Sequence, residues 1–495
     1  MTIADTTRSG PLAGDAHRIA HADRVIASLG LPSSGVAVAD PATGERIAAV
    51  PDLDAGDALE AVATAHAAGR SWARTTPRQR ADVLHAWYDL LIDHRDDLAH
   101  LIVREMGKPL AEAYAEVQYG TDFVRWYAEE AVRPRGDYRE APNGGAQIIT
   151  RRSPVGLSVL ITPWNFPLAM ATRKIAPALA AGCAAVVKPA ALTPLTTILA
   201  VRLAIEAGMP DDLVQVVTTS GASAFSEAVL RDPRVRKVSF TGSTPVGRTL
   251  LELASATVLR TSMELGGNAP LIVFDDADLG RAVEGAYAAK MRNVGQSCIG
   301  ANRIYVQDGI AADFVDALTE RLASAPVGSG FADDALVGPV IDDRAAQQMQ
   351  RYVDDAVTRG ATLRTGGHGF DGAGHFYAPT LLDHVPVDCL AATSEIFGPI
   401  AAIQRFSTQA EVLERANDTD LGLAGYVFTE SLDRAFDVAD LLETGIVGIN
   451  QGVPSNAAAP FGGVKQSGLG REGSAEGLEE YETIRFYNLA RRSTT

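Results

Sequence analysis

From Val155 onward the chain alternates short apolar runs with helical stretches, and this alternation constrains its fold more than any other feature. Residues 155–161, 184–187, 214–218 and 237–240 read as strands, and residues 168–181, 193–207 and 245–256 as helices. Strands separated by helices of about 10–15 residues pair in parallel, because each helix carries the chain back to the starting edge of the sheet. The spacing predicts a doubly wound α/β domain. A second series of strands and helices runs from about residue 270 to about residue 444, so two α/β domains are expected. Upstream, residues 54–70, 77–106 and about 110–132 carry apolar residues at helical spacing, such as Val83, Trp87, Leu90 and Leu91. The stretch up to about residue 20 reads as a flexible start. Pro142-Asn143-Gly144-Gly145 is a hairpin signal, and the β-branched run 147–151 supplies its second strand.

Composition narrows the function. Lys and Arg number 44 against 61 Asp and Glu, a net charge of −17, which argues against a nucleic-acid partner because phosphate binding needs a basic surface. Only three cysteines occur among 495 residues, Cys183, Cys298 and Cys389, too few and too scattered for a disulfide framework or a Cys-based zinc site. The first 24 residues lack an apolar core and contain Asp5, Asp15 and Asp23, unlike a signal or transit peptide. The longest apolar run, 175–187, is too short to span a bilayer. These features predict a soluble cytoplasmic protein with no membrane, nucleic-acid or metal partner.

Three segments have the composition of reaction loops. Gly242-Ser243-Thr244-Pro245-Val246-Gly247-Arg248-Thr249 follows a strand and opens a helix, as a phosphate-binding P-loop does. Arg248 stands where the P-loop lysine belongs, which argues against phosphoryl transfer. The free N–H groups of a helix N-terminus still suit a pyrophosphate, although a plain strand–helix turn explains the segment too. Cys298 sits in the polar loop Asn293-Val294-Gly295-Gln296-Ser297, unlike a thiol packed among aliphatic residues. Glu264 lies at a strand end beside glycines, where a buried carboxylate is costly unless used or paired. These two residues are candidate nucleophile and base. Asn165, between Pro163-Trp164 and Phe166-Pro167 at the carboxyl end of a strand, suits an oxyanion donor or a cap for the following helix.

Taken together, these segments resemble the aldehyde dehydrogenase superfamily. The resemblance rests on Pro163-Trp164-Asn165-Phe166-Pro167, Phe240-Thr241-Gly242-Ser243, Glu264-Leu265-Gly266-Gly267-Asn268, Gly295-Gln296-Ser297-Cys298, Glu395-Ile396-Phe397-Gly398-Pro399 and Pro460-Phe461-Gly462-Gly463, in family order across about residues 35–485. It implies a Rossmann-like dinucleotide-binding domain (1–132 and 153–263), an α/β catalytic domain (264–465), and a β-hairpin oligomerisation arm with a C-terminal segment (133–152 and 466–495). It also implies a homo-oligomer, dimer or tetramer. By resemblance Cys298 is the nucleophile, Asn165 the oxyanion donor and Glu264 the base. The cofactor residues are then Thr162, Trp164, Lys188, Ala191, Gly242, Ser243, Leu265, Glu395 and Phe397. Strictly NAD-dependent relatives tend to carry a glutamate where this chain has Ala191, so NADP is the expected cofactor, with NAD also accepted.

Within the superfamily the chain is most similar to the succinate-semialdehyde dehydrogenases. Arg173, Arg292 and Ser455 match their semialdehyde-binding pattern, and the arginines either pair with protein acids or clamp a substrate carboxylate. Some members carry a second cysteine two residues after the nucleophile; Gly300 stands there, which excludes an intraloop disulfide. Ala457, Ala458 and Ala459 follow Ser455 where relatives often have bulkier residues, leaving glutarate semialdehyde or other aldehydes as alternative substrates.

Overall fold

The computed structural model describes residues 10–490. The apolar runs predicted as strands pack into a six-stranded sheet in the order Gly468–Leu469, Arg260–Glu264, Val235–Thr241, Leu157–Ile161, Ala185–Lys188, Val214–Val216. All neighbours are parallel except Gly468–Leu469, which runs antiparallel to Met263 and Glu264. The chain moves outward from Leu157–Ile161 in one direction and returns on its other side at Val235–Thr241. The strand order therefore reverses beside Leu157–Ile161, and ligands of open α/β sheets bind in the crevice that such a reversal opens. Every residue of Leu157–Ile161 is buried, which is why its sequence is continuously apolar rather than alternating.

A second sheet has seven strands, ordered Thr362–Thr365, Thr380–Asp383, Ile400–Phe406, Ala301–Gln307, Ala269–Val273, Ala424–Phe428, Ile446–Ile449. Only its Thr362–Thr365 edge is antiparallel. The helix Ala169–Ala181 packs between the first sheet and the helices Pro77–Asp93 and Leu110–Ala131, and every residue of it is buried, Arg173 and Lys174 included. Its many alanines let neighbours approach from all sides. A third, antiparallel sheet joins Gly136–Glu140, Ala146–Pro154 and Glu482–Ala490. Gly144 and Gly145 adopt φ of +71° and +74° in the connecting turn, a conformation that glycine takes without penalty.

Several boundaries differ from the sequence reading. The expected helix over 77–106 is two helices, Pro77–Asp93 and Arg95–Met106. They break at His94, whose Nδ1 bonds Asp97 of the second helix at 2.9 Å. Apolar spacing continues across that break, so periodicity hides it. The supposedly flexible start contains the helix Ala16–Ser28, capped by Asp15 accepting from the Arg18 N–H at 2.9 Å; residues 1–9 lie outside the described residues. Ala222–Leu230 is an additional short helix. The expected C-terminal segment 466–495 divides between three places: Gly468–Leu469 edges the first sheet, Ser474–Glu479 is a helix, and Glu482–Ala490 joins the arm. Residues 491–495 lie outside the described residues. Glu264 ends a strand of the first sheet rather than opening the second domain. No helix among the described residues is long and apolar enough to cross a membrane.

One buried carboxylate makes the fold pH-sensitive. Glu105 accepts from the Leu195 and Thr196 N–H groups at 2.7 and 2.9 Å, capping the helix Leu195–Glu206 without a cationic partner. Burial pushes its pKa up to about 7, outweighing the hydrogen bonds that favour the carboxylate. A carboxyl group whose folded pKa exceeds its unfolded value destabilises the fold as pH rises through that interval. Glu105→Gln keeps an acceptor oxygen and removes the titration. Melting temperatures of the two proteins should diverge in favour of Glu105→Gln between about pH 5 and pH 8. A difference that stays constant over this range contradicts the assignment.

Candidate active site

The site is assembled where the ends of the two sheets meet. The helix Leu279–Met291 of the second domain ends in a loop with three successive left-handed residues: Asn293 (φ +57°), Val294 (φ +58°) and Gly295 (φ +74°). For a β-branched valine this conformation is strained by about 1–3 kcal/mol, so the surroundings must hold it. Asn293 Nδ2 donates to the carbonyls of Asn165 and Gln296, both at 3.0 Å, and the Gln296 side chain accepts from the Ile341 N–H at 2.9 Å. At Gly295 a Cβ would stand 2.2 Å from the Gly398 carbonyl oxygen, so only glycine fits. At Gly267 a Cβ would stand 2.3 Å from the Cys298 carbonyl oxygen, so glycine there lets the Glu264 and Cys298 segments touch.

Cys298 lines a cavity of about 250 Å³. Of the residues expected from sequence, Trp164, Asn165, Arg173, Gly242, Ser243, Glu264, Leu265, Arg292, Glu395, Phe397 and Ser455 line the same cavity. Thr162, Lys188 and Ala191 lie outside it, along the edge where Leu157–Ile161 and Ala185–Lys188 end. Tyr119, Met170 and Ile299 add apolar wall that sequence reasoning did not flag. Asn165 does not cap the following helix: its Nδ2 donates to the Gln296 carbonyl at 2.9 Å, and Glu116 meets that helix's first N–H groups. The Asn165 Oδ1 is buried without a partner.

The two arginines are not equivalent. Arg173 Nε pairs with the Glu472 carboxylate, which also pairs with Lys174, and its guanidinium lies 4.3 Å from the centroid of the Phe461 ring. One Arg173 nitrogen, Nη2, is buried with no partner. Arg292 has no ion pair or hydrogen bond among the described residues; its guanidinium lies 5.0 Å from the Phe166 centroid and 5.5 Å from that of Tyr119. Glu472 and Lys174 carried no local signal in the sequence, because they meet across 298 residues.

Burial favours the neutral form of both candidate reacting groups. Burial raises the Glu264 pKa well above the carboxylate range, the Glu472 charge adds to this, and neither Glu264 oxygen has a hydrogen-bond partner. Burial pushes the Cys298 thiol up to about 12, against the pull of Arg173. Glu395 is raised to about 7 by burial while its carboxylate accepts from the Gly267 N–H at 3.1 Å.

The residues along the sheet edge fit a dinucleotide. Ser243 precedes the helix Thr244–Ser255, makes no side-chain cap bond and leaves its hydroxyl available beside the first free N–H groups. Lys188 is 7% exposed with no hydrogen bond or ion pair, an ammonium placed for an outside anion. Trp164 and Phe397 meet edge to face with centroids 5.5 Å apart. Arg248, by contrast, is committed to Gln466.

A strained cysteine loop, an unpartnered carboxylate and an amide donor around one cavity, flanked by a dinucleotide edge, define an oxidoreductase of covalent type. The chain belongs to the aldehyde dehydrogenase family, whose match spans residues 31–486. It is 51% identical over 434 residues to a succinate-semialdehyde dehydrogenase of Paenarthrobacter nicotinovorans, covering 88% of this chain and 96% of that protein. It is 45% identical to the NADP(+) succinate-semialdehyde dehydrogenase of Escherichia coli (strain K12), covering 91% of this chain and 93% of the other. The crystal structure of succinate-semialdehyde dehydrogenase from Burkholderia pseudomallei superposes with a TM-score of 0.91 at 45% identity, over 92% of this chain and 95% of that one.

Burial pushes the Cys298 thiol up to about 12, and the nucleophile acts as a thiolate, so kcat/KM, which reports the free enzyme, should still be rising between about pH 7 and pH 9. A plateau reached below about pH 7 contradicts this environment.

Proposed function

We propose that the protein oxidises succinate semialdehyde to succinate, using NADP and accepting NAD. The observation that carries this reading is Arg292: a guanidinium lining the nucleophile's cavity, against two aromatic rings, with no ion pair or hydrogen bond to a carboxylate among the described residues, Glu112 acting on it only at longer range. A substrate carboxylate supplies the missing partner bidentately. Arg173 Nη2 and the Ser455 hydroxyl complete the anion site from the same cavity wall. Such a clamp points the aldehyde end of a four-carbon chain at Cys298.

In this reading the Cys298 thiolate adds to the aldehyde carbon, and the C=O electrons move to oxygen. The Asn165 side-chain amide and the Cys298 N–H stabilise that oxyanion, each worth about 3–4 kcal/mol in the transition state. A bound nicotinamide supplies the hydride acceptor. Loss of hydride leaves a thioester on Cys298; Glu264 takes a proton from water, the hydroxide adds to the acyl carbon, and the thiolate departs. Lys188, Ser243 and the adjoining helix N-terminus hold the dinucleotide, with Glu395 and Phe397 at its nicotinamide end. Ala191 places no carboxylate against a 2′-phosphate. The same reading assigns the domain of the six-stranded sheet to dinucleotide binding, the domain of the seven-stranded sheet to catalysis, and the sheet of Gly136–Glu140, Ala146–Pro154 and Glu482–Ala490 to an oligomerisation arm. The exposed Ile484, Phe486 and Leu489 on that arm support a homo-oligomer.

The test is a comparison of Arg292→Ala with the unaltered enzyme on succinate semialdehyde, glutarate semialdehyde and butanal, with each dinucleotide. KM for succinate semialdehyde should rise at least about thirtyfold more than KM for butanal, the loss expected for a desolvated charge pair. Equal increases for both overturn the clamp, and higher kcat/KM with glutarate semialdehyde shifts the substrate by one carbon. An NAD preference of about a thousandfold overturns the cofactor assignment.

A further inference from the structure

A buried ionic cluster behind the cavity ties its two reacting segments together. The Lys108 ammonium, fully buried, donates to the Asn165 backbone carbonyl at 2.9 Å, pairs with Glu116, and lies 4.0 Å from the Phe166 centroid. The other Glu116 oxygen accepts from the Leu168 N–H at 2.9 Å and the Ala169 N–H at 3.3 Å. Those N–H groups open the helix Ala169–Ala181, whose own N-cap residue, Leu168, supplies no side-chain bond. Four residues earlier on the helix Leu110–Ala131, Glu112 accepts from the Asn293 N–H at 2.6 Å, at the head of the strained nucleophile loop. Asn293 Nδ2 returns to the Asn165 carbonyl, so that single oxygen receives both Lys108 and Asn293.

One helix therefore grips both segments. Positions four apart face the same way and stand about 6 Å apart along the axis. Glu116 holds the Asn165 segment, Glu112 holds the Cys298 loop, and Lys108 closes the cluster between them. Stability alone does not account for the arrangement, because a buried ion pair adds little over an apolar pair of similar volume. Apart from the Lys108–Glu116 pair itself, the bonds of the cluster end on backbone within four residues of Asn165 or at Asn293.

We propose that Lys108, Glu112 and Glu116 are positioning residues that set the placement of the Asn165 amide relative to the Cys298 loop. The inference rests on the reading of Asn165 as oxyanion donor. It predicts a loss in kcat rather than in KM, since a displacement of about 1 Å between reacting groups costs up to about a hundredfold in rate.

The experiment uses the full chain with Glu112→Ala, Glu112→Gln, Lys108→Met, Asn165→Ala and the Lys108→Met/Asn165→Ala pair. Rates are normalised to the fraction of folded protein read from far-UV circular dichroism, so unfolded protein does not count. Glu112→Ala should lower kcat at least about tenfold with KM within about twofold, and Glu112→Gln, which keeps the acceptor oxygen, should restore it. Adding Lys108→Met to Asn165→Ala should cause no further loss, because Lys108 acts through Asn165. An unchanged kcat per folded protein in Glu112→Ala, or equal losses from Lys108→Met with and without Asn165, overturns the proposal. If Lys108→Met does not fold, the two Glu112 variants decide alone. A wild-type kcat in Asn165→Ala instead removes the oxyanion assignment. The alkylation rate of Cys298 in Glu112→Ala, which needs no oxyanion donor, then still reads the loop placement: a changed rate supports it and an unchanged rate overturns it.

Discussion

The contact on which the site depends is the hydrogen bond from the Asn165 side chain to the Gln296 carbonyl, 2.9 Å long and fully buried. It joins the carboxyl end of a strand in one sheet to the nucleophile loop of the other. On one side stands an apolar strand that burial fixes rigidly; on the other, three left-handed residues that no local preference would select. Neither side makes a site alone. Gly267 against the Cys298 carbonyl brings the segment after Glu264 onto the loop, while Gly295 against the Gly398 carbonyl packs the loop within the second domain.

Charge is distributed to serve that junction. The chain carries −17 overall, yet the groups facing the cavity and the sheet edge include Arg173, Arg292 and Lys188. Solvent and salt screen the acidic surface beyond about 8–10 Å, so an anionic substrate meets the local cations rather than the net charge. Inside, Glu472 neutralises Arg173 and Lys174, and Glu116 neutralises Lys108. Arg292 and Lys188 make no ion pair among the described residues, Arg292 lining the cavity and Lys188 ending the strand Ala185–Lys188 at the sheet edge.

Strands such as Leu157–Ile161 were legible because burial on both faces demands an apolar run. Cys298, Glu264 and Asn165 stood out because their residue types conflict with their neighbours. The break at His94 was not legible, since apolar spacing runs through it. Nor was the difference between Arg173 and Arg292, which depends on Glu472, almost three hundred residues along the chain from Arg173. Lys108, Glu112 and Glu116 carry no local signal in the sequence; only the folded chain shows Lys108 and Glu116 buried and Glu112 half-buried against their long-range partners.

The central claim is that chemistry passes through one covalent acyl group on Cys298. The most direct measurement is peptide mass spectrometry of Glu264→Gln after brief exposure to succinate semialdehyde and NADP. With hydrolysis removed, the Cys298 peptide should carry the mass of one succinyl thioester, while the Cys183 and Cys389 peptides remain unmodified. Release of reduced dinucleotide with no acyl group on Cys298 would contradict the account.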